Sequence, residues 1–153
     1  MTVYRLLFVA FSLLVPSALR AQSVQHLNPA GLPVTKSYTQ VVTTHGGRTV
    51  YISGQVSANS KGEIVHKGDF PAQVQQVYEN LKIALAAVGA TFKDVVKTTT
   101  YVVNSDASSI STVRAVRSQY YSGANPPAST YIGVQALYDP DALIEIEVIA
   151  VVK

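Results

Sequence analysis

Residues 22–153 predict a single α+β domain with two helices on one face of a mostly antiparallel sheet, in the order β-β-β-α-β-α-β-β. Three observations carry that reading. Runs dense in β-branched and aromatic residues recur at 38–44, 49–56, 95–103, 130–137 and 144–152. Two segments, one after a capping Asp69 and one after the turn Asn104-Ser105-Asp106, change to a period near 3.6, each with a glycine behind. The 153-residue chain is long enough for one hydrophobic core and not for two.

The first 21 residues stand apart from that domain. Arg5 precedes an apolar run at 6–15, Pro16 breaks it, and small residues lead to Gln22, the layout of a secretory signal peptide. Its apolar core is too short to span a bilayer. Cleavage after Ala21 removes Arg5 and Arg20, lowering the net charge from +3 to +1. The expectation is an exported protein, periplasmic or extracellular, with no membrane attachment once the leader is gone. A mature charge near neutrality without basic runs argues against nucleic acid as a partner. Cysteine is absent, which excludes disulfides, thiolate ligands and a cysteine nucleophile. An exported chain without disulfides is held by packing and oligomerisation, and oligomerisation is favoured here.

Residues 22–36 read as an extended arm, because Pro29 and Pro33 bias the residues before them away from helix. Strand 38–44 then meets Gly46-Gly47, a turn suited to positive φ, and 49–56 returns as the second arm of a hairpin. Ser53-Gly54 interrupts this returning strand, marking either a bulge or the close approach of a ligand. A short third strand is expected at 63–66. Asp69 caps the first helix, with Pro71 in its first turn, a stripe of Val74, Val77, Leu81, Leu85 and Val88, and Gly89 as the stop. Strand 95–103 follows. Asn104-Ser105-Asp106 turns into the second helix at 109–121, with Ile110, Val113, Arg117 and Tyr120 on one face. Pro126-Pro127 ends it, and strands 130–137 and 144–152 close the domain across a turn at Asp139-Pro140-Asp141.

The last strand is the most informative. Ile144, Ile146, Val148, Ala150 and Val152 share one face, while Glu145 and Glu147 share the other with Ile149 and Val151. Two carboxylates on so apolar a strand require water or partners, which points to a polar cleft on the sheet. The face away from the helices has nothing in the same chain to cover it, so self-association through it is expected. No glycine-rich phosphate loop, G-x-S-x-G elbow or metal-spaced histidine pair is present, and His26, His45 and His66 are far apart in the chain. Metal binding is not indicated. Glu145 and Glu147, about 7 Å apart by strand rise on one face, do not fit a two-carboxylate glycosidase.

YISGQV at 51–56, AAVGA at 86–90, KDVVKTTTYV at 93–102, NPPAST at 125–130 and IEIEVIAV at 144–151 together resemble the reactive-intermediate deaminase superfamily. These are the RidA-like or YjgF-like proteins, also described as endoribonuclease L-PSP-like. The resemblance implies a chorismate-mutase-like fold and a homotrimer with small-molecule clefts between subunits. Its archetypal members hydrolyse imines and enamines such as 2-aminoacrylate to a 2-keto acid and ammonia, without a cofactor. It also implies that Tyr38 and the Ser53-Gly54 pair line the cleft and that Glu145 positions the attacking water.

One departure bears on activity. Where archetypal members carry Pro-Ala-Arg-Ser, with the Arg forked onto the substrate carboxylate, this chain has Pro127-Ala128-Ser129-Thr130, and Tyr131 replaces a small cysteine. Losing that contact costs about 1.5 to 3 kcal/mol of binding, roughly ten- to a hundredfold. Arg114, where the archetype has an asparagine, is a candidate to supply the charge instead. Two readings therefore stay open: an imine or enamine deaminase with a relocated cation, or a non-catalytic trimer whose pocket Tyr131 has reshaped for another ligand.

Overall fold

Each of the two helices begins where the sequence places an aspartate. In the computed structural model, which describes residues 22–34, 36–121 and 123–153, the Asp69 carboxylate accepts the Ala72 N–H at 3.0 Å and starts α1, Phe70–Ala87. Gly89, at φ +73°, ends it. Asp106 accepts the Ser109 N–H at 2.8 Å while the Ser109 hydroxyl accepts the Asp106 N–H, a reciprocal capping box that starts α2, Ala107–Tyr120. The predicted leader, residues 1–21, lies outside the described residues.

Among the described residues six strands accompany the helices: β1 Ser23–Leu27, β2 Val41–His45, β3 Arg48–Gln55, β4 Val95–Val103, β5 Ala128–Val134 and β6 Ile144–Val152. The α+β class and the β-β-β-α-β-α-β-β order match the sequence reading, but the strands composing that order differ. Residues 63–66 form no strand, only a single bridge between Ala58 and Ile64, because Ile64 turns inward to a small cluster with Val56 and Ala142. The third strand is instead β1, within the residues expected to be an irregular arm. Its antiparallel partner is β2, so the expected β2–β3 hairpin is not made. Gly46 and Gly47, at φ +69° and +76°, instead carry the chain from one sheet into the other. A side chain at Gly47 would meet the Val152 carbonyl at 2.7 Å, so the turn sits directly on the end of β6.

The main sheet has the order β3-β6-β4-β5. β6 is antiparallel to both β3 and β4, whereas β5 runs parallel to β4. The last two strands, read as a pair across the Asp139 turn, are therefore separated by β4. A parallel neighbour requires a crossover, and α2 supplies it between β4 and β5.

The core lies between the helices and one face of this sheet. Val74, Val77, Tyr78, Leu81 and Leu85 of α1 pack on Val50, Val102, Ile144, Ile146, Val148 and Ala150. Tyr78 stacks on Tyr120 at 4.8 Å between ring centres, and Phe92 meets both Tyr120 and Tyr121, so an aromatic cluster joins the two helices. The opposite face remains open. Tyr51, 77% exposed, stands on it with Glu147, Ile149, Thr99 and Ile132, as the alternation in β6 predicts.

Candidate functional site

The predicted site residues fall into two groups, positioned by different parts of the sheet. The first group forms at a fault in the pairing of β3 with β6. Ile52 pairs with Val148 but Gln55 pairs with Ile146, so three steps on β3 match two on β6 and Ser53-Gly54 is the bulge. Glu145 projects from β6 onto this bulge, its carboxylate resting where a Cβ on Gly54 would stand: Oε1 is 1.8 Å from that position. Both readings of the interrupted strand thus have a physical counterpart, a bulge and a close approach, with the protein's own carboxylate as the approaching group.

Next to it, Ser53 shares a shallow cavity of about 290 Å³ with Tyr51, Lys97, Thr99 and Glu147. Tyr101 donates to the Glu147 carboxylate at 3.4 Å, and the Lys97 ammonium donates to the Thr130 hydroxyl. Burial lowers the Lys97 pKa from its usual value while the Glu147 charge raises it. Glu147, unaccounted for in the sequence, therefore belongs to a polar row across the open sheet face.

The second group lies at the other edge of the sheet, between β5 and α2. Tyr38, Arg114, Ser129 and Tyr131 line one cavity of about 410 Å³. Strand register explains two of them. Ser129 pairs with Thr98 and Tyr131 with Thr100, which puts both side chains on the helix-facing side of β5. The Ser129 hydroxyl accepts from Thr98 at 3.0 Å, and the Tyr131 hydroxyl lies 2.9 Å from that of Ser105, just before α2. Arg114 is exposed on the rim and shares the cavity with Ser129.

Arg117, which the sequence puts on the packing face of α2, lines this cavity too. One arm of its guanidinium donates to the Ser37 carbonyl at 2.7 Å, and the group lies over the Tyr121 ring at 4.8 Å. The available signal was an arginine in an apolar stripe, one turn after Val113. Such a position demands partners, and here the backbone and an aromatic ring provide them.

Within one chain the two groups do not meet. Glu145 pairs with Tyr101 on the open face, while Ser129 is two strands away and three residues along, on the opposite face. At about 4.8 Å per strand and 3.3 Å per residue, their backbones are roughly 14 Å apart. The first group carries the carboxylates Glu145 and Glu147 beside the Lys97 ammonium, the second the cations Arg114 and Arg117. Among the described residues no cluster of three or more His, Asp or Glu could hold a metal ion, and no helix is long and apolar enough to cross a membrane.

Both the sequence and the fold match known proteins. The endoribonuclease L-PSP family profile fits residues 30–152. A RutC family protein of Pyrococcus horikoshii is 39% identical over 114 residues, 74% of this chain and 85% of the relative. The 2-iminobutanoate/2-iminopropanoate deaminase of Mus musculus is 38% identical over 115 residues, 74% of this chain and 80% of the relative. The crystal structure of a Rid family protein of unknown function, YyfB of Yersinia pestis, superposes with a TM-score of 0.79 at 41% identity, covering 84% of this chain and 98% of that one. The chain belongs to the RidA/YjgF superfamily.

Proposed function

We propose that this protein is a cofactor-free deaminase that hydrolyses a small imine or enamine in a cleft between subunits of a homotrimer. The observation that carries the reading is the seating of the Glu145 carboxylate on the Ser53-Gly54 bulge, a held base beside exposed backbone. A second copy, presenting its Tyr38, Arg114, Ser129 and Tyr131 edge to this bulge, completes the site, and the opposite charges of the two groups favour that docking.

The chemistry follows from those groups. Water adds to the carbon of the C=N bond while Glu145 takes its proton, giving a carbinolamine. That proton passes to nitrogen, the C–N bond breaks, and a carbonyl product and ammonia leave; an enamine first takes a proton on carbon to become the imine. Tyr38 and the backbone at Ser53-Gly54 align the substrate. Ser129 stands where the family's archetype has its carboxylate-gripping Arg, so that charge must come from Arg114 on α2. The relatives with printed deaminase names support the reaction class. The leader-like residues 1–21 support export.

A second reading, a non-catalytic ligand-binding trimer, is favoured by one observation: on β5 the archetype's cation is replaced by a hydroxyl bonded to Thr98. Ammonia release from imines generated in situ by an amino-acid oxidase separates the two. The deaminase reading expects turnover by the wild type and none by Glu145→Gln; equal ammonia release from both would remove the role assigned to Glu145.

A further inference from the structure

Behind the substrate cavity, Arg117 borders a second and smaller one. This cavity, of about 220 Å³, lies between the C-terminal half of α2 and the segment leading to β2, and Lys36, Arg114, Arg117 and Tyr121 line it. Its volume is below that of ordinary small-molecule pockets, which suits a single small ion with its waters.

Three cations surround this space and no carboxylate lines it. Among the described residues the ion pairs are Lys67 with Asp141 and Lys82 with Glu79, so none of Lys36, Arg114 and Arg117 is in an ion pair. Two buried donors add a sharper signal. The Nη2 arm of Arg117 and the hydroxyl of Tyr121 are both buried without a hydrogen-bond partner, and both side chains border this cavity. Buried polar groups in folded proteins are almost always paired, and a cation with an idle donor arm calls for an acceptor. Burial also raises the Tyr121 pKa, so its hydroxyl keeps its proton at neutral pH.

We infer that this cavity is a small-oxyanion site in which Arg117 Nη2 and the Tyr121 hydroxyl are the buried donors and Arg114 and Lys36 close the mouth. A planar guanidinium with one arm fixed on the Ser37 carbonyl is pre-organised to offer its other arm to a carboxylate or phosphate oxygen. Because Arg114 and Arg117 border both cavities, an anion here also holds the two guanidinia in place beside the substrate cavity.

The test is titration of the full chain with sodium phosphate and, separately, sodium acetate, against sodium chloride at equal ionic strength. Arginine side-chain NMR and the melting temperature are read together. The expected result is a saturable shift of the Arg117 Nε–H signal and a rise in Tm with at least one of the two anions but not with chloride. Tyr121→Phe, which removes one donor and keeps the ring under Arg117, should weaken that binding by about tenfold. Arg117→Gln should abolish it. Saturation by phosphate alone marks a site for the free ion, and saturation by acetate as well marks a site for a carboxylate group. No saturable response to either anion, or a response unchanged in Tyr121→Phe, overturns the inference and leaves the two donors to water.

Discussion

The Glu145 carboxylate and Gly54 exclude any side chain between them: a Cβ on Gly54 would stand 1.8 Å from Oε1 and 2.6 Å from Cδ of Glu145. Gly54 is not among the glycines at positive φ, so the restriction comes from contact and not from backbone conformation. Gly54→Ala should therefore fold, with Tm lowered by a few degrees, while displacing Glu145. Ammonia release should fall by at least about a hundredfold, the lower range for loss of a positioned general base. Steady-state kinetics beside a thermal melt checks both halves of the prediction.

Arg114 and Ser129 share a cavity, and the proposed site draws its cation from Arg114 on α2. Arg114→Ala should raise KM for an imine bearing a carboxylate by about ten- to a hundredfold, with little change in kcat. Ser129→Arg in that background should restore much of the loss. Progress curves across substrate concentration separate KM from kcat.

Gln73 is buried, and its amide joins α1 to the loop before β6. It donates to the Asp141 carbonyl at 2.7 Å and accepts the Leu143 N–H at 2.9 Å. Gln73→Leu keeps the volume but strands both backbone groups, so urea unfolding should show a loss of about 2 to 4 kcal/mol.

The aromatic cluster makes the fold sensitive to alkali. Burial and the hydrogen bond to Glu79 push the Tyr120 phenol up to about 12, and burial also raises Tyr78 and Tyr121. Their unfolded counterparts titrate near 10. The unfolded chain therefore releases protons first, and stability, complete below about pH 10, declines as pH rises towards 12. Tyr120→Phe should flatten that decline in melts taken between pH 9 and 12.

Local chemistry was legible in the sequence, and long-range pairing was not. Asp69, Asp106 and Gly89 marked helix ends that the structure keeps, because caps act within one turn. The alternation in β6 separated the core face from the open face, because side-chain period is a local property. The pairing of β1 with β2, and the insertion of β4 between β5 and β6, depend on contacts between distant segments that no periodicity encodes. The same holds for the site. Ser53-Gly54 was visible as an interruption, but the carboxylate filling it lies 91 residues after Gly54, and Arg117 was hidden within an apolar stripe.

The measurement that bears most directly on the central claim is complementation between two inactive variants. Glu145→Gln disables the acidic group and Tyr38→Phe the basic-edge group, each leaving the other intact. If the active cleft takes one group from each of two subunits, mixed oligomers formed by unfolding and refolding the two together contain some wholly wild-type clefts. Ammonia release should then recover to a substantial fraction of the wild-type rate. Activity of the mixture no higher than that of the two variants refolded apart would contradict a cleft shared between subunits.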